Sequence, residues 1–117
     1  MDYMREYAAW LSSPALTDTE RDELRAVAGD IKEIESRFFS RLEFGTAGLR
    51  GVMGLGLLRM NRYVVRHTTQ AFAEVISDYC KARGEQGSVA ICYDCRNGSR
   101  DFAANALNLY PDPLCVR

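Results

Sequence analysis

No run of apolar residues in this 117-residue chain is long enough to cross a bilayer. The N-terminal stretch MDYMREYAAWLSS has no apolar core of the kind a secretory signal needs. A cytoplasmic protein without a membrane partner is the expectation. A basic excess is also missing: 15 Lys and Arg stand against 16 Asp and Glu, for a net charge of −1. A general nucleic-acid binder carries a strongly basic face, so no nucleic-acid partner is expected. No Gly-Lys dipeptide occurs, which excludes a Walker A loop. Gly54-x-Gly56 lacks a third glycine, which excludes the dinucleotide fingerprint. Cysteine is sparse, with Cys80, Cys92, Cys95 and Cys115. Cys92-x-x-Cys95 has no second close pair to complete a zinc site. Nor does the pair sit at a helix N-terminus after a strand, as a thioredoxin-like couple would. Inside the apolar run VAICY, Cys92 reads as a small buried hydrophobe, and neither metal nor redox chemistry is expected of the pair.

One absence is local. Asp and Glu do not occur between Phe44 and Ala73, a stretch that holds Arg50, Arg59, Arg62, Arg66 and His67. A positive segment in a slightly acidic chain suits a small anion such as phosphate. A solvated arginine face on a helix fits the same pattern.

What is present describes an ordinary globular protein. Hydrophobic residues make up 47% and charged residues 26%, and the length argues for one domain at most. Residues 3–11 fit a short helix, ended by Ser13-Pro14. Thr17 and Glu20 fit a capping box, followed by Leu24, Val27, Ala28 and Ile31 at helical spacing. Gly29 divides this run, and Asp30 to Glu33 caps a second helix with Ile34, Phe38 and Leu42 on one stripe. Asn61 is placed to cap a long helix to about Arg83, with Val64, Thr68, Ala71, Phe72, Val75, Ile76 and Tyr79 on one face and His67 near it. Gly84 follows as a helix-ending residue. SVAICY at 88–93 reads as a strand buried on both faces, which suggests a parallel sheet. Ser99 is placed to cap a last helix with Phe102, Ala103, Ala106 and Leu107 inward. Between strand and helix runs D-x-R-N-G-S, residues 94–99, where open α/β sheets bind ligands. Local hydrogen bonding by Asp94 and Arg96 within a turn explains the same residues.

The densest motif is EFGTAGLRG at 43–51, in a segment with glycines at 45, 48, 51, 54 and 56. It reads as irregular extended chain in which the backbone approaches something closely. With RMN at 59–61, a helix containing TTQAFA, and a strand ending in YDCRNGSRDFA, it resembles the N-terminal domain of the α-D-phosphohexomutases, the phosphoglucomutase and phosphomannomutase enzymes. The lead-in EIESRFFSRLEFGTAGLRG is similar to the longer form of that family, which includes phosphopentomutases. The resemblance covers roughly residues 3–107.

The resemblance implies an α/β fold: a partial three-layer domain I, a mixed sheet with flanking helices, over 43–117, after a helical extension over 1–42. It implies a sugar phosphate as ligand and a phosphoserine that gives up and recovers a phosphoryl group beside Mg²⁺. Positioning and electrostatics carry such a transfer. It implies phosphate or substrate contacts at Arg50, Thr46 and Gly48, with Asp94, Arg96 and Ser99 as a supporting loop. The family's T-A-S-H-N-P serine loop, its D-G-D-G-D-R magnesium loop, its sugar-specificity loop and its final phosphate loop have no match in this sequence. No catalytic residue, metal ligand or cofactor is therefore expected for these 117 residues. After Ala106, LNLYPDPLCVR departs from the family pattern. The expectation is part of a longer or internally shortened mutase, inactive by itself. It would bind sugar phosphate weakly or not at all, and would self-associate or pair with the remaining mutase domains. A stand-alone phosphate-binding or mutase-interacting module is the alternative.

Overall fold

The structure, a computed structural model, describes residues 2–46, 48–107 and 115–116. It falls into two compact units, Met1–Asn61 and Arg62–Arg117.

The first unit is built on three short helices. Helix α1, Tyr3–Leu11, starts where the Asp2 side chain accepts hydrogen bonds from the N–H groups of Met4 and Arg5. Helix α2, Asp18–Ala26, has the full capping box: Thr17 Oγ1 accepts from the Glu20 N–H, and Glu20 accepts from the Thr17 N–H. Helix α3, Ile31–Phe38, is capped by Asp30. These caps satisfy N–H groups that a helix start leaves orphaned. Arg21 serves the opposite need, donating to the carbonyls of Leu11, Ser13 and Leu16 and so tying down the chain that leaves α1.

The apolar stripes of the three helices meet in one core. Leu24, Ile34 and Phe38 are fully buried, with Tyr7, Leu16 and Leu55 nearly so. Tyr7 and Trp10 of α1 approach the Phe38 ring edge-on, at centroid distances of 5.8 and 5.6 Å. Burying a ring of this size contributes about 1.5–3 kcal/mol, and edge-to-face pairing adds to it. The Tyr7 hydroxyl donates to the Leu24 carbonyl at 2.7 Å, so its polar end is satisfied inside the core. Leu42 is not part of the α3 stripe: the helix ends at Phe38, and the Leu42 N–H donates to the Leu57 carbonyl. Its side chain instead lies against Gly51.

Strands β1, Phe44–Gly45, and β2, Gly48–Leu49, form an antiparallel hairpin with Phe44 opposite Leu49 and Gly45 opposite Gly48. What reads in sequence as irregular chain thus contains a short ladder.

In the second unit, helix α4, Arg62–Arg83, packs against helix α5, Ser99–Leu107. Gly84, at a φ of +65°, ends α4 as expected. Strand β3, Ser88–Val89, pairs in parallel with β4, Cys115–Val116. The parallel direction agrees with the sequence reading, but the buried six-residue strand does not form. Ala90, Cys92 and Tyr93 are exposed, and the strand ends after Val89. A continuous apolar run becomes an interior strand only when neighbours cover both faces. Among the described residues, β3 has the two-residue β4 for a partner. The apolar face expected on α4 is likewise open: Phe72, Val75 and Tyr79 are exposed and Ala73 is the buried position. His67 is exposed as well. The fold is of mixed helix and strand, as an α/β domain requires. The expected departure at LNLYPDPLCVR falls largely on residues 108–114 and 117, outside the described residues.

Candidate functional site

The glycine segment is held by side chains that reach it from helix α3 and from Asn61. Arg37, nearly buried, donates Nη1 to the Leu55 carbonyl at 3.1 Å while its Nε bonds Glu33 Oε1 at 2.9 Å. Arg59 donates Nη1 to the Ser36 carbonyl and Nη2 to the Ser36 hydroxyl, both at 3.0 Å. Asn61, buried, donates its amide nitrogen to the carbonyls of Gly54, Gly56 and Arg59. The Leu58 N–H returns to the Arg37 carbonyl. A loop of five glycines by itself would be mobile. Here the carbonyls of Gly54, Leu55, Gly56 and Arg59 are pinned, and the chain on either side of the hairpin bonds to this loop, Leu42 N–H to the Leu57 carbonyl and Met60 N–H to the Val52 carbonyl.

The positive charges of the segment divide by role. Arg59 is committed to Ser36, with Glu33 Oε1 also 3.9 Å away, so it belongs to the scaffold rather than to an anion site. Arg62 lies over the Tyr63 ring, 4.8 Å from its centroid, and donates to the Tyr63 hydroxyl. Arg50 is different: it follows β2 directly, is exposed, and makes no hydrogen bond or ion pair with a described residue. Thr46 opens the hairpin connection and is exposed. Gly48 closes it at a φ of +96°, which a side chain rarely adopts. A Cβ built there meets nothing within 4 Å, so the backbone itself is open to a ligand. The structure therefore brings Thr46, Gly48 and Arg50 onto one small hairpin.

Asp94, Arg96 and Ser99 also meet as a group. Asp94 Oδ1 accepts from the Arg96 N–H at 3.0 Å, and Oδ2 pairs with Arg96 Nε at 2.8 Å. The Asp94 N–H donates to Ser99 Oγ at 3.0 Å. Ser99 is thus the first residue of α5 rather than its cap, and its hydroxyl holds the loop. The Arg96 N–H bond, chiefly, holds the Asp94 carboxyl below its ordinary value of 3.8; the Arg96 charge and the Ser99 hydroxyl add to this, and desolvation opposes it. A depressed carboxyl pKa stabilises the loop above the ordinary value and loses that contribution as pH falls through the folded value. In an NMR titration Asp94 should show a midpoint below 3.8, and Arg96→Gln should raise it only in part, because the backbone bond remains. A midpoint at or above the ordinary value would mean that the turn does not hold in solution.

Asp94 spends both carboxylate oxygens on Arg96, and no group of three His, Cys, Asp or Glu side chains gathers among the described residues. These residues do not fit a Mg²⁺ site, which wants several oxygen ligands together. Cys92 and Cys95 are free and exposed; Cys92 is not buried as its apolar run suggests. No described helix is long and apolar enough to cross a membrane.

Sequence reasoning missed the Arg37–Arg59–Asn61 base of the loop. RMN was visible at 59–61, but nothing local tells that two of its residues face inward.

The family model described as phosphoglucomutase/phosphomannomutase, alpha/beta/alpha domain I, matches residues 41–110. A phosphoglucomutase of Staphylococcus haemolyticus (strain JCSC1435) is 45% identical over 69 residues, covering 59% of this chain and 12% of the relative. Phosphopentomutases of Mus musculus and Homo sapiens are each 34% identical over 113 residues, covering 91% of this chain and 18% of theirs. No solved structure matches the chain. The hairpin and the loop before α5 both lie inside the matched region, and the chain belongs to the phosphoglucomutase/phosphomannomutase family. It spans between 12% and 18% of the length of these curated relatives.

Proposed function

We propose that this chain supplies the phosphate-facing part of domain I of a sugar-phosphate mutase, an isomerase that moves a phosphoryl group between positions of a hexose or pentose phosphate through a phosphoserine. Arg50 carries this reading: an exposed guanidinium without a partner among the described residues, on a hairpin whose flanks at Leu42 and Val52 bond to the pinned loop that follows. A planar, permanent cation with a fork of donors matches a phosphate dianion. Thr46 adds a hydroxyl, and the bare Gly48 backbone allows close approach. Asp94, Arg96 and Ser99 support a second loop. Magnesium, where the mutase uses it to offset charge in transfer, falls to residues other than these. The nucleophile does too: Ser99 is engaged by the Asp94 N–H, and no serine in the chain neighbours its one histidine, His67.

The 117 residues alone are therefore expected to bind without turnover. A coupled assay with glucose 1-phosphate, mannose 1-phosphate and ribose 1-phosphate, with Mg²⁺ and a bisphosphate activator, should read no more than a no-protein control. Titration with millimolar sugar phosphate should move the amide NMR signals of residues 44–50, and Arg50→Ala should abolish the shifts. Activity that survives purification, or shifts confined to other residues, would overturn the reading.

The exposed Phe72, Val75 and Tyr79 stripe favours a second role, pairing with further mutase sequence or with a second copy of the chain.

A further inference from the structure

The exposure of Cys92 and Cys95 removes the ground on which the pair reads as structural. Neither thiol is buried, and neither is disulfide-bonded. They are three residues apart, on a segment that carries no regular structure after Val89. Between and beside them lie the groups that hold the supporting loop: Asp94, whose N–H goes to Ser99 Oγ, and Arg96, which takes both oxygens of Asp94. We propose that Cys92 and Cys95 form a reversible disulfide whose closure resets the Asp94–Arg96–Ser99 loop, making the pair a thiol–disulfide modification site.

The chemistry is thiol exchange with a low-molecular-weight disulfide. The thiolate of one cysteine attacks a sulfur of that disulfide, its S–S bond breaks, and one thiolate leaves with an electron pair. The second cysteine, as thiolate, then attacks the mixed disulfide and expels the other half. The two cysteines lose two protons and two electrons, and the oxidant is released as two thiols. Exposed pairs with a nearby resolving thiol are the ones that oxidise reversibly. The coupling follows from geometry. A disulfide holds its two Cα atoms at roughly 4.4–6.8 Å with a fixed torsion. The ring it closes contains the Tyr93 and Asp94 peptides, so their dihedrals serve the bridge and the Asp94 hydrogen bonds at once. Setting them for one resets the other.

The test needs no enzyme activity, so its failure is distinct from failure of the mutase reading, on which the loop's importance for phosphate rests. The full chain is treated with excess glutathione disulfide, then alkylated and mapped by mass spectrometry. Before alkylation the expected product is about 2 Da lighter by loss of two hydrogens; after it, the product carries a Cys92–Cys95 bridge with Cys80 and Cys115 alkylated, and the bridge reverts with dithiothreitol. Cys92→Ser and Cys95→Ser should each abolish the bridge. On oxidation the amide NMR signals of Asp94, Arg96 and Ser99 should shift, and in the double variant they should not respond to the oxidant. Glutathione adducts on each cysteine without a bridge, a bridge to Cys80 or Cys115, or resistance to oxidation would overturn the site. A bridge that leaves the three signals in place would overturn the coupling.

Discussion

Replacing Gly56 by Ala should destabilise the first unit by about 4 kcal/mol. Gly56 has a φ of +130°, a region that residues with a side chain adopt only under strain of roughly 1–3 kcal/mol. A Cβ there would lie 2.7 Å from the Arg37 carbonyl oxygen and 2.8 Å from its Cβ. The obstruction is helix backbone, which cannot rotate aside, and overpacking of this sort adds roughly 1–3 kcal/mol. Relief would need the loop to lift off α3, and that would break the Arg37 bond to Leu55 and the Asn61 bond to Gly56. Domains of this size have about 5–15 kcal/mol in total, so much of the stability would go. Trp10, the single tryptophan, packs on Phe38 in the same unit and reports its unfolding by fluorescence in urea. Gly29→Ala is the control: a Cβ at Gly29 meets nothing within 4 Å and its φ is not positive. It should shift stability by less than about 1 kcal/mol in either direction. Equal midpoints for the two variants would show that Gly56 does not sit against α3 in solution.

That contrast between two glycines shows what the sequence could and could not disclose. Helix starts were legible because their determinants lie within four residues: Thr17 with Glu20, Asp30 with Glu33. The end of α4 at Gly84 was legible for the same reason. Gly56 was not, because its constraint comes from Arg37 on a helix nearly twenty residues earlier. Arg59 reads in sequence with the other positive charges of its segment because its pairing with Ser36 is tertiary. SVAICY has the composition of an interior strand, yet composition reports only what a segment would bury if neighbours were there. Cys92 and Tyr93 are exposed because, among the described residues, no strand lies beside them. The hairpin was visible as a motif, and its geometry was not. EFGTAGLRG announces close backbone approach, but that the positive φ falls at Gly48, and that Arg50 alone of its segment's two first-unit arginines is free of the scaffold, needed the fold.

The separation of Arg50 from Arg59 leads to the second large effect. In a full-length member of the family, Arg50→Ala at the corresponding position should lower kcat/KM by roughly 30- to 1,000-fold, or about 2–4 kcal/mol of transition-state stabilisation. That is the scale of losing one preorganised donor to developing charge. Stability should barely move, because Arg50 is exposed and its side chain bonds to no described residue; surface changes of this kind stay near ±0.5 kcal/mol. Arg59→Ala should show the opposite balance. It would strip two donors from Ser36, one of them on a helix-end carbonyl, so the urea midpoint should fall while any loss of activity follows from loosening of the hairpin. Arg50→Lys discriminates charge from geometry. A lysine keeps the positive charge but not the planar fork, so it should recover little of the lost rate if the phosphate is held through two oxygens. Urea midpoints and kcat/KM measured on the same three variants resolve the roles. Near-normal turnover in Arg50→Ala, or a stability loss as large as that of Arg59→Ala, would make Arg50 a structural residue and leave the phosphate without its principal cation on this hairpin.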